Sequence, residues 1–292
     1  MHSKIKGVLF VILAALMWSI ESVLARYSEK NSSSIKTAAF ALLFGGLTAL
    51  VYSLIKKESY KLTKKEWKSI WFIVIFGTAI AQPLYYLALS KTQILNAVLI
   101  VHTQPLFIIL LGYFIMKEAL TKYDYIGGFL SLIAAVFITS GSIKNILGLN
   151  IVTYGDIIAL AAAIMWALAI FPAKMNLGKV SASVIVALRF CFASIFLLVY
   201  LFLFSNLKID NVYQILIGIT IGIGSIFYYE GVKRIKAAQV SFIELLAPFF
   251  AAIFGLYIFN ESLTLLQIIS FPILGIGLWM ISKLHPKINS SN

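Results

Sequence analysis

Four ionisable side chains lie inside long apolar stretches of the sequence. They are Glu21, His102, Arg189 and Glu244. A charged group in the middle of a bilayer is costly unless it is paired or hydrated, and such groups commonly mark substrate and ion pathways. We therefore treat each of the four as a candidate for substrate binding or transport.

Arg189 and Glu244 are predicted to reach the same depth. Each lies about seven or eight residues from the same end of its apolar stretch, or roughly 11–12 Å along a helix. Two hypotheses follow, which are an ion pair with a structural role and direct contact of both side chains with a substrate. The two hypotheses are compatible if transport breaks the pair.

Glu21 is predicted to share one helical face with Trp18 and Ala25, because the spacings are three and four residues. A carboxylate beside an aromatic ring suits recognition of a cationic or zwitterionic group, through charge and through cation–π contact. The alternative is a hydrated residue near the outer mouth of the protein, since Glu21 is close to the end of its stretch.

His102 lies on the predicted helical face of Val98 and Pro105. A single histidine in an apolar stretch either hydrogen-bonds to a neighbouring helix or relays a proton. No second histidine and no paired carboxylate accompanies it, so the sequence predicts no metal site.

Neutral hydrogen-bonding groups complete the predicted site. Gln82 and Gln104 lie in apolar stretches, and Trp166 occupies the position in the second half of the chain that matches Trp18. The tyrosines Tyr85, Tyr86, Tyr228 and Tyr229 fall near predicted helix ends, which favours an interfacial aromatic belt. The predicted substrate-binding residues are Trp18, Glu21, Gln82, His102, Gln104, Trp166, Arg189 and Glu244. No catalytic residue, metal ligand or cofactor is predicted.

The composition indicates that lipid surrounds the helices that carry these residues. Of the 292 residues, 61% are hydrophobic and 12% are charged, whereas roughly a quarter of the residues of a soluble domain are charged. A helix needs about 20 apolar residues to cross a bilayer. We predict an all-α integral membrane protein with ten transmembrane helices, at about 5–25, 36–55, 68–89, 95–116, 123–142, 153–173, 181–204, 212–231, 237–259 and 263–283. The first stretch is too long for a signal peptide, and we expect it to be retained.

The net charge of +13 comes from lysines and arginines that cluster between the apolar stretches. Basic cytoplasmic connections account for this excess, so nucleic-acid binding is not predicted. We number the connections between successive spans from the N-terminus. There are 17 Lys and Arg residues in the two termini and the even-numbered connections, and 6 in the odd-numbered connections. This bias predicts that both termini are cytoplasmic. The single cysteine, Cys191, excludes an intramolecular disulfide.

The two halves of the chain resemble one another at fixed offsets. We interpret residues 1–147 and 148–292 as two five-helix repeats. Because five is an odd number, the second repeat must enter the membrane from the opposite face, so the repeats are predicted to be inverted, as in many secondary transporters. The matches at an offset of 148 are Met17-Trp18 with Met165-Trp166 and Ala25-Arg26 with Ala173-Lys174, and those at 143 are Tyr85-Tyr86 with Tyr228-Tyr229, Pro105 with Pro248 and Glu118 with Glu261.

Around these matches the chain resembles the EamA repeat of the drug/metabolite transporter superfamily. The resemblance covers about residues 5–283 and implies export of amino acids, amines, other metabolites or toxic compounds through a cavity between the repeats. Arg189 departs from the symmetry, because Ala41 occupies its counterpart position, so substrate contacts should differ between the halves. The residues that carry the resemblance are Trp18 and Trp166, the Tyr-Tyr runs before Lys91 and Arg234, and the segments Pro105, Gly112, Glu118, Leu120, Thr121 and Pro248, Gly255, Glu261, Leu263, Thr264.

We predict a secondary carrier of the plasma or inner membrane that works by alternating access. Its partners are expected to be a small-molecule substrate and the lipid bilayer. The sequence leaves open whether the chain forms a homo-oligomer. The sequence has no phosphate-binding loop of the Walker type, so ATP hydrolysis by this chain is not expected. The interior charges favour zwitterionic or cationic substrates, with amino acids and amphiphilic amines first. The alternatives are a membrane channel and a membrane-embedded enzyme, and the sparse polar residues favour neither.

Overall fold

The structure, a computed structural model, describes residues 2–28, 31–92, 94–117, 120–148, 153–260 and 262–282. These residues contain helices and no strand, in agreement with the predicted all-α class. The helices are α1 (His2–Ser28), α2 (Ser34–Ile55), α3 (Lys64–Val74), α4 (Ala81–Lys91), α5 (Ile94–Val101), α6 (Gln104–Met116), α7 (Lys122–Ser140), α8 (Ile143–Leu147), α9 (Tyr154–Asn176), α10 (Ala182–Phe204), α11 (Tyr213–Val232), α12 (Ala237–Ile243), α13 (Ala247–Phe259) and α14 (Leu265–Ser282).

Within the described residues, nine helices are long and apolar enough to cross a membrane. They correspond to the first nine predicted stretches. The tenth stretch is helical as well, but its apolar part, Leu265–Ile281, is shorter than the others. Three of the nine spans are interrupted helices, made of α3 with α4, α5 with α6, and α12 with α13.

Short polar motifs fix the helix ends. The hydroxyl of Thr121 accepts a hydrogen bond from the backbone N–H of Asp124, and the Asp124 carboxylate accepts one in return from the N–H of Thr121. The same capping box begins α3 and α9, and it satisfies backbone donors that the first helical turn leaves free. At the other ends, Lys117 and Asn260 adopt left-handed conformations that stop α6 and α13. Glu118 and Glu261, which follow them, lie outside the described residues.

The main helix contacts join the two halves of the chain. The most extensive contacts pair α1 with α11, α2 with both α10 and α11, α7 with α14, and α4 with α9. Small residues allow close approach, as membrane packing requires. A Cβ atom on Gly222 of α11 would lie 2.7 Å from the carbonyl oxygen of Gly45 in α2. Because the core runs across both halves, neither half can bury its apolar surface without the other.

Polar contacts between connections follow the predicted topology. Lys36, after the first span, pairs with Asp210, after the seventh, at 3.0 Å. The hydrogen bond from Lys36 holds the pKa of the Asp210 carboxyl below its usual value. Among the even-numbered connections, the hydroxyl of Ser181 donates to the Glu58 carboxylate at 2.7 Å. Each of these two contacts joins connections that are both odd-numbered or both even-numbered, which is expected if the two sets lie on opposite sides of a membrane.

Two glycines of α14 provide a matched test of the packing against α7. A Cβ atom on Gly277 would lie 2.5 Å from the Ser131 hydroxyl oxygen, whereas one on Gly275 meets nothing within 4 Å. We expect Gly277→Ala to cost about 1–3 kcal/mol of stability, because the two helices must separate. Gly275→Ala should be neutral or slightly stabilising, since alanine favours helix. Thermal unfolding in detergent measures both, and equal midpoints for the two variants would contradict the packing argument.

Candidate functional site

A cavity of about 540 Å³ lies between the two halves of the chain, within the size range of small-molecule sites. All of the predicted substrate-binding residues line it. The structure thus brings together side chains from widely separated parts of the sequence, while their role in binding stays a prediction. They are Trp18, Glu21, Gln82, His102, Gln104, Trp166, Arg189 and Glu244.

Two helix interruptions place ionisable side chains at this cavity. The helix α5 ends at Val101, a turn at His102 and Thr103 follows, and α6 begins with Pro105 in its first turn. Near the matching position in the second half, a 3₁₀ turn at Glu244–Leu246 separates α12 from α13, which has a proline in its first turn too. A proline has no backbone N–H with which to continue the hydrogen bonds of the preceding helix. Each break therefore lies just before a residue that cannot complete the helical pattern. The paired prolines were the signal, but we did not predict the breaks.

A third irregularity lies in the span formed by α3 and α4. Its middle, Ile75–Ile80, is a π-helical segment, a form that is rare and often occurs at functional sites. A Cβ atom on Gly77 would lie 2.5 Å from the Cβ of Ala169, so the segment packs tightly on α9. The side chain of Thr78 is fully buried there.

Arg189 is held by hydroxyl groups and aromatic rings. Its Nε donates to the hydroxyl of Thr78 at 3.1 Å, and its Nη1 donates to the hydroxyl of Tyr229 at 2.6 Å. The guanidinium carbon also lies 4.8 Å from the centre of the Phe190 ring and 5.6 Å from that of Tyr229. These contacts stabilise the cation through hydrogen bonds to hydroxyl groups and through aromatic rings.

The ion pair between Arg189 and Glu244, one of the two hypotheses for these residues, is not formed in this structure. No carboxylate oxygen of the described residues lies within 4.0 Å of the Arg189 guanidinium. The depth argument placed both side chains at one level, but depth does not give the direction in which a side chain leaves its helix. The buried hydroxyl of Thr78, in the π-helical segment, takes the place that the carboxylate was expected to fill.

The interfacial belt predicted for the tyrosines is also wrong for those at the cavity. Tyr228 and Tyr229 are 9% and 2% exposed, and Tyr85 lines the cavity with them. Tyr228 and Tyr229 do lie near the end of α11 at Val232, but both are buried, and position along a helix does not give the direction of a side chain. The offset of 143 that relates Tyr85 to Tyr228 could have identified them as site residues.

Two aromatic pairs line the cavity. The ring centres of Trp18 and Tyr228 are 5.3 Å apart, and those of Tyr85 and Trp166 are 5.5 Å apart. These separations are typical of favourable tilted ring contacts. In each pair the tryptophan comes from one half of the chain and the tyrosine from the other.

The remaining polar groups complete the cavity. Glu21 lines it beside Ser22, on the same face as Trp18. The Nδ1 atom of His102 is buried and has no hydrogen-bond partner among the described residues. In that same part of the chain, no group of three or more His, Cys, Asp or Glu side chains could hold a metal ion. The cavity is thus suited to reversible contact with a small polar or charged molecule.

Comparison with known proteins gives a consistent result. The model of the EamA-like transporter family matches residues 5–140 and 153–283. A protein of Methanothermobacter thermautotrophicus described as a transporter is 25% identical, over 95% of this chain and 86% of its own length. A second such transporter, from Clostridium kluyveri, is 25% identical over 93% of this chain and 91% of its own. A crystal structure with 19% identity is similar at a TM-score of 0.81, over 98% of this chain and 99% of that one, which shows the fold alone.

The contacts of Arg189 can be tested by double-mutant cycles. We expect Tyr229→Phe to cost about 1.5–3 kcal/mol, because it removes a hydrogen bond to a charged group. In a cycle with Arg189→Met, the coupling energy should be clearly larger for Tyr229→Phe than for Glu244→Gln. Unfolding in detergent measures each free energy. A larger coupling to Glu244 would mean that the carboxylate, and not the hydroxyl, is the partner of the arginine.

Proposed function

Because the chain belongs to the EamA-like transporter family, we propose that it is a secondary transporter of small metabolites. It exports its substrates by alternating access. Its substrates are amino acids, amines or related amphiphilic compounds. The observation that carries the proposal is a cavity of about 540 Å³ that is lined by Glu21, Arg189 and Glu244 together.

The architecture we propose is ten transmembrane helices in two inverted repeats, 1–147 and 148–292. The helix contacts support it, because they are reciprocal. The first helix of the first half, α1, packs on α11, and its counterpart α9 packs on α4, the counterpart of α11. The pairs α2 with α10 and α7 with α14 join helices that occupy matching positions in the two halves.

Inverted repeats provide a physical basis for alternating access. Two similar halves of opposite orientation can exchange conformations, and the two resulting states have nearly equal energy. The interrupted spans beside the cavity support the proposal as well, since discontinuous helices at mid-membrane are common at transporter sites. The proline of each break removes a backbone hydrogen bond at the place where a helix would have to bend.

The proposed location is the plasma or inner membrane, with both termini in the cytoplasm. The excess of lysine and arginine in the even-numbered connections supports this orientation. A membrane channel and a membrane-embedded enzyme are the alternatives, and no geometric feature of the described site favours either.

Transport can be measured with the purified protein in liposomes. We expect a radiolabelled panel of amino acids and amines to include a compound whose uptake saturates and is accelerated by unlabelled compound on the opposite side. Such counter-transport requires a binding site that alternates between the two faces, which a channel lacks. Protein-free liposomes are the control. Flux that never saturates would favour a channel, and chemical conversion of a compound without flux would favour an enzyme.

The orientation can be tested by cysteine labelling in a Cys191→Ser background. Ser59 and Asn206 are exposed residues of connections predicted to lie on opposite faces. An impermeant thiol reagent should label Ser59→Cys only from the cytoplasmic side and Asn206→Cys only from the outer side. Labelling of both from one side would exclude the topology, and the reverse pattern would invert it.

A further inference from the structure

The two offsets that relate the halves also divide the cavity lining into two matching sets. One set is Trp18, Glu21, Tyr228 and Glu244, which we call the acidic wall. Its counterparts are Trp166, Ala169, Tyr85 and Val101, which we call the apolar wall. All of these residues line the cavity. The tryptophan and the tyrosine are therefore retained in both walls, whereas the two carboxylates of one wall are matched by an alanine and a valine in the other.

Each wall is a physical cluster as well as a sequence pattern. In the acidic wall, Trp18 contacts Tyr228, and α1, which carries Trp18 and Glu21, packs on the 3₁₀ turn that carries Glu244. The hydroxyl of Ser19 also donates to the carbonyl of Ala247 at 2.9 Å, which ties α1 to the start of α13. In the apolar wall the Trp166 ring contacts Tyr85, and α9 packs on both α4 and α5.

The two carboxylates of the acidic wall have no cationic partner in the described part of the chain. Neither Glu21 nor Glu244 forms an ion pair or a hydrogen bond there. A carboxylate in a membrane interior is costly unless a cation or water accompanies it. A ligand that brings a positive charge to this wall would therefore be stabilised by both groups.

Arg189 offsets only one of the two carboxylate charges that line the cavity. Its guanidinium is engaged by the hydroxyls of Thr78 and Tyr229. The formal charges of Glu21, Glu244 and Arg189, with His102 neutral, leave an excess of one negative charge. A zwitterion leaves this excess unchanged, whereas a monovalent cation removes it.

We propose that the cavity takes an amphiphilic organic monocation, with its ammonium group at the acidic wall and its apolar body at the apolar wall. This inference rests on the proposed transport function. The rings of Trp18 and Tyr228 attract a cation by cation–π contact, and the two carboxylates accept charge-assisted hydrogen bonds from an ammonium. The rings of Trp166 and Tyr85, with the methyl groups of Ala169 and Val101, offer surface to a hydrocarbon or aromatic body.

An amino acid fits this arrangement less well than the corresponding amine. Its α-carboxylate is joined to the carbon that bears the ammonium, so it must enter the acidic wall together with the ammonium. There it lies near Glu21 and Glu244, which repel it at close range in a medium of low dielectric constant. Arg189 is the one arginine or lysine among the described lining residues that could offset this repulsion, and its guanidinium is already engaged by Thr78 and Tyr229. The asymmetry of the walls therefore selects for charge as well as for shape.

A pair of probes that differ only in the carboxylate tests the proposal. 2-Phenylethylamine and phenylalanine are titrated calorimetrically into the purified full-length chain in detergent, with hexylamine and its α-carboxylated counterpart as a second pair. We expect each amine to bind at least tenfold more tightly than its amino acid. Equal or tighter binding of the amino acids overturns the proposal, and so does the absence of binding by both amines.

Isosteric variants locate the charge. Glu21→Gln and Glu244→Gln should each weaken 2-phenylethylamine by about tenfold to a hundredfold, because a hydrogen bond to a charged group is lost. The matched control is Glu58→Gln, which removes a carboxylate that contacts Ser181 outside the cavity, and its affinity should equal that of the unmodified chain. Unchanged affinity in both cavity variants overturns the assignment of the acidic wall. Size-exclusion profiles establish whether each variant folds. If a variant does not fold, the comparison of amines with amino acids on the unmodified chain still tests the proposal.

The orientation of the ligand has its own readout. Trp166→Leu should weaken hexylamine more than ethylamine, because only the longer chain reaches the apolar wall. Equal losses for the two amines would overturn the placement of the apolar body. These outcomes are separate from the proposed function, which fails if liposomes show no flux of any compound. Flux of amino acids with no preference for amines would support the proposed transport function and contradict the proposal that the ligand is a monocation.

Discussion

The cost of placing a charge in hydrocarbon constrains this structure more than any other interaction. Lipid offers no hydrogen bonds to an interior carboxylate or guanidinium, so such groups must find partners or a polar cavity within the protein. Arg189 obtains two hydroxyl partners and two aromatic rings. Glu21 and Glu244 instead face the cavity. The packing of the surrounding helices follows, because they have to enclose these side chains together and away from the lipid.

The helix contacts are repeated in the two halves of the chain, whereas the ionisable residues of the cavity are not. Helices at matching positions make matching contacts, and the two tryptophan–tyrosine pairs have similar separations. The ionisable groups break this pattern, since Ala41 and Ala169 occupy the positions that match Arg189 and Glu21. The repeated backbone thus supports the two similar states that we propose, and the unequal side chains support a single preferred orientation of the proposed ligand.

The sequence predicted the apolar spans and the residues around the cavity because both follow from strong, local signals. A run of about 20 apolar residues is sufficient to identify a span, and a charge within such a run is rare enough to mark a site. The partners of Arg189 were not predictable in the same way. They depend on the π-helical segment that carries Thr78 and on the rotation of α11 that turns Tyr229 inward. Both arise from tertiary packing, which periodicity along one helix does not contain.

Arg189 occupies a position where the two halves meet. Its partner Thr78 belongs to the third span of the first half, and Tyr229 belongs to α11, the matching helix of the second half. A displacement of one helix relative to the other would change the positions of these two hydroxyls relative to the guanidinium. A guanidinium has five N–H donors, so it can exchange one partner for another without leaving its charge unsolvated. A side chain with these properties permits movement between the halves and still keeps the interior cation stabilised, which a rigid ion pair with Glu244 would not do.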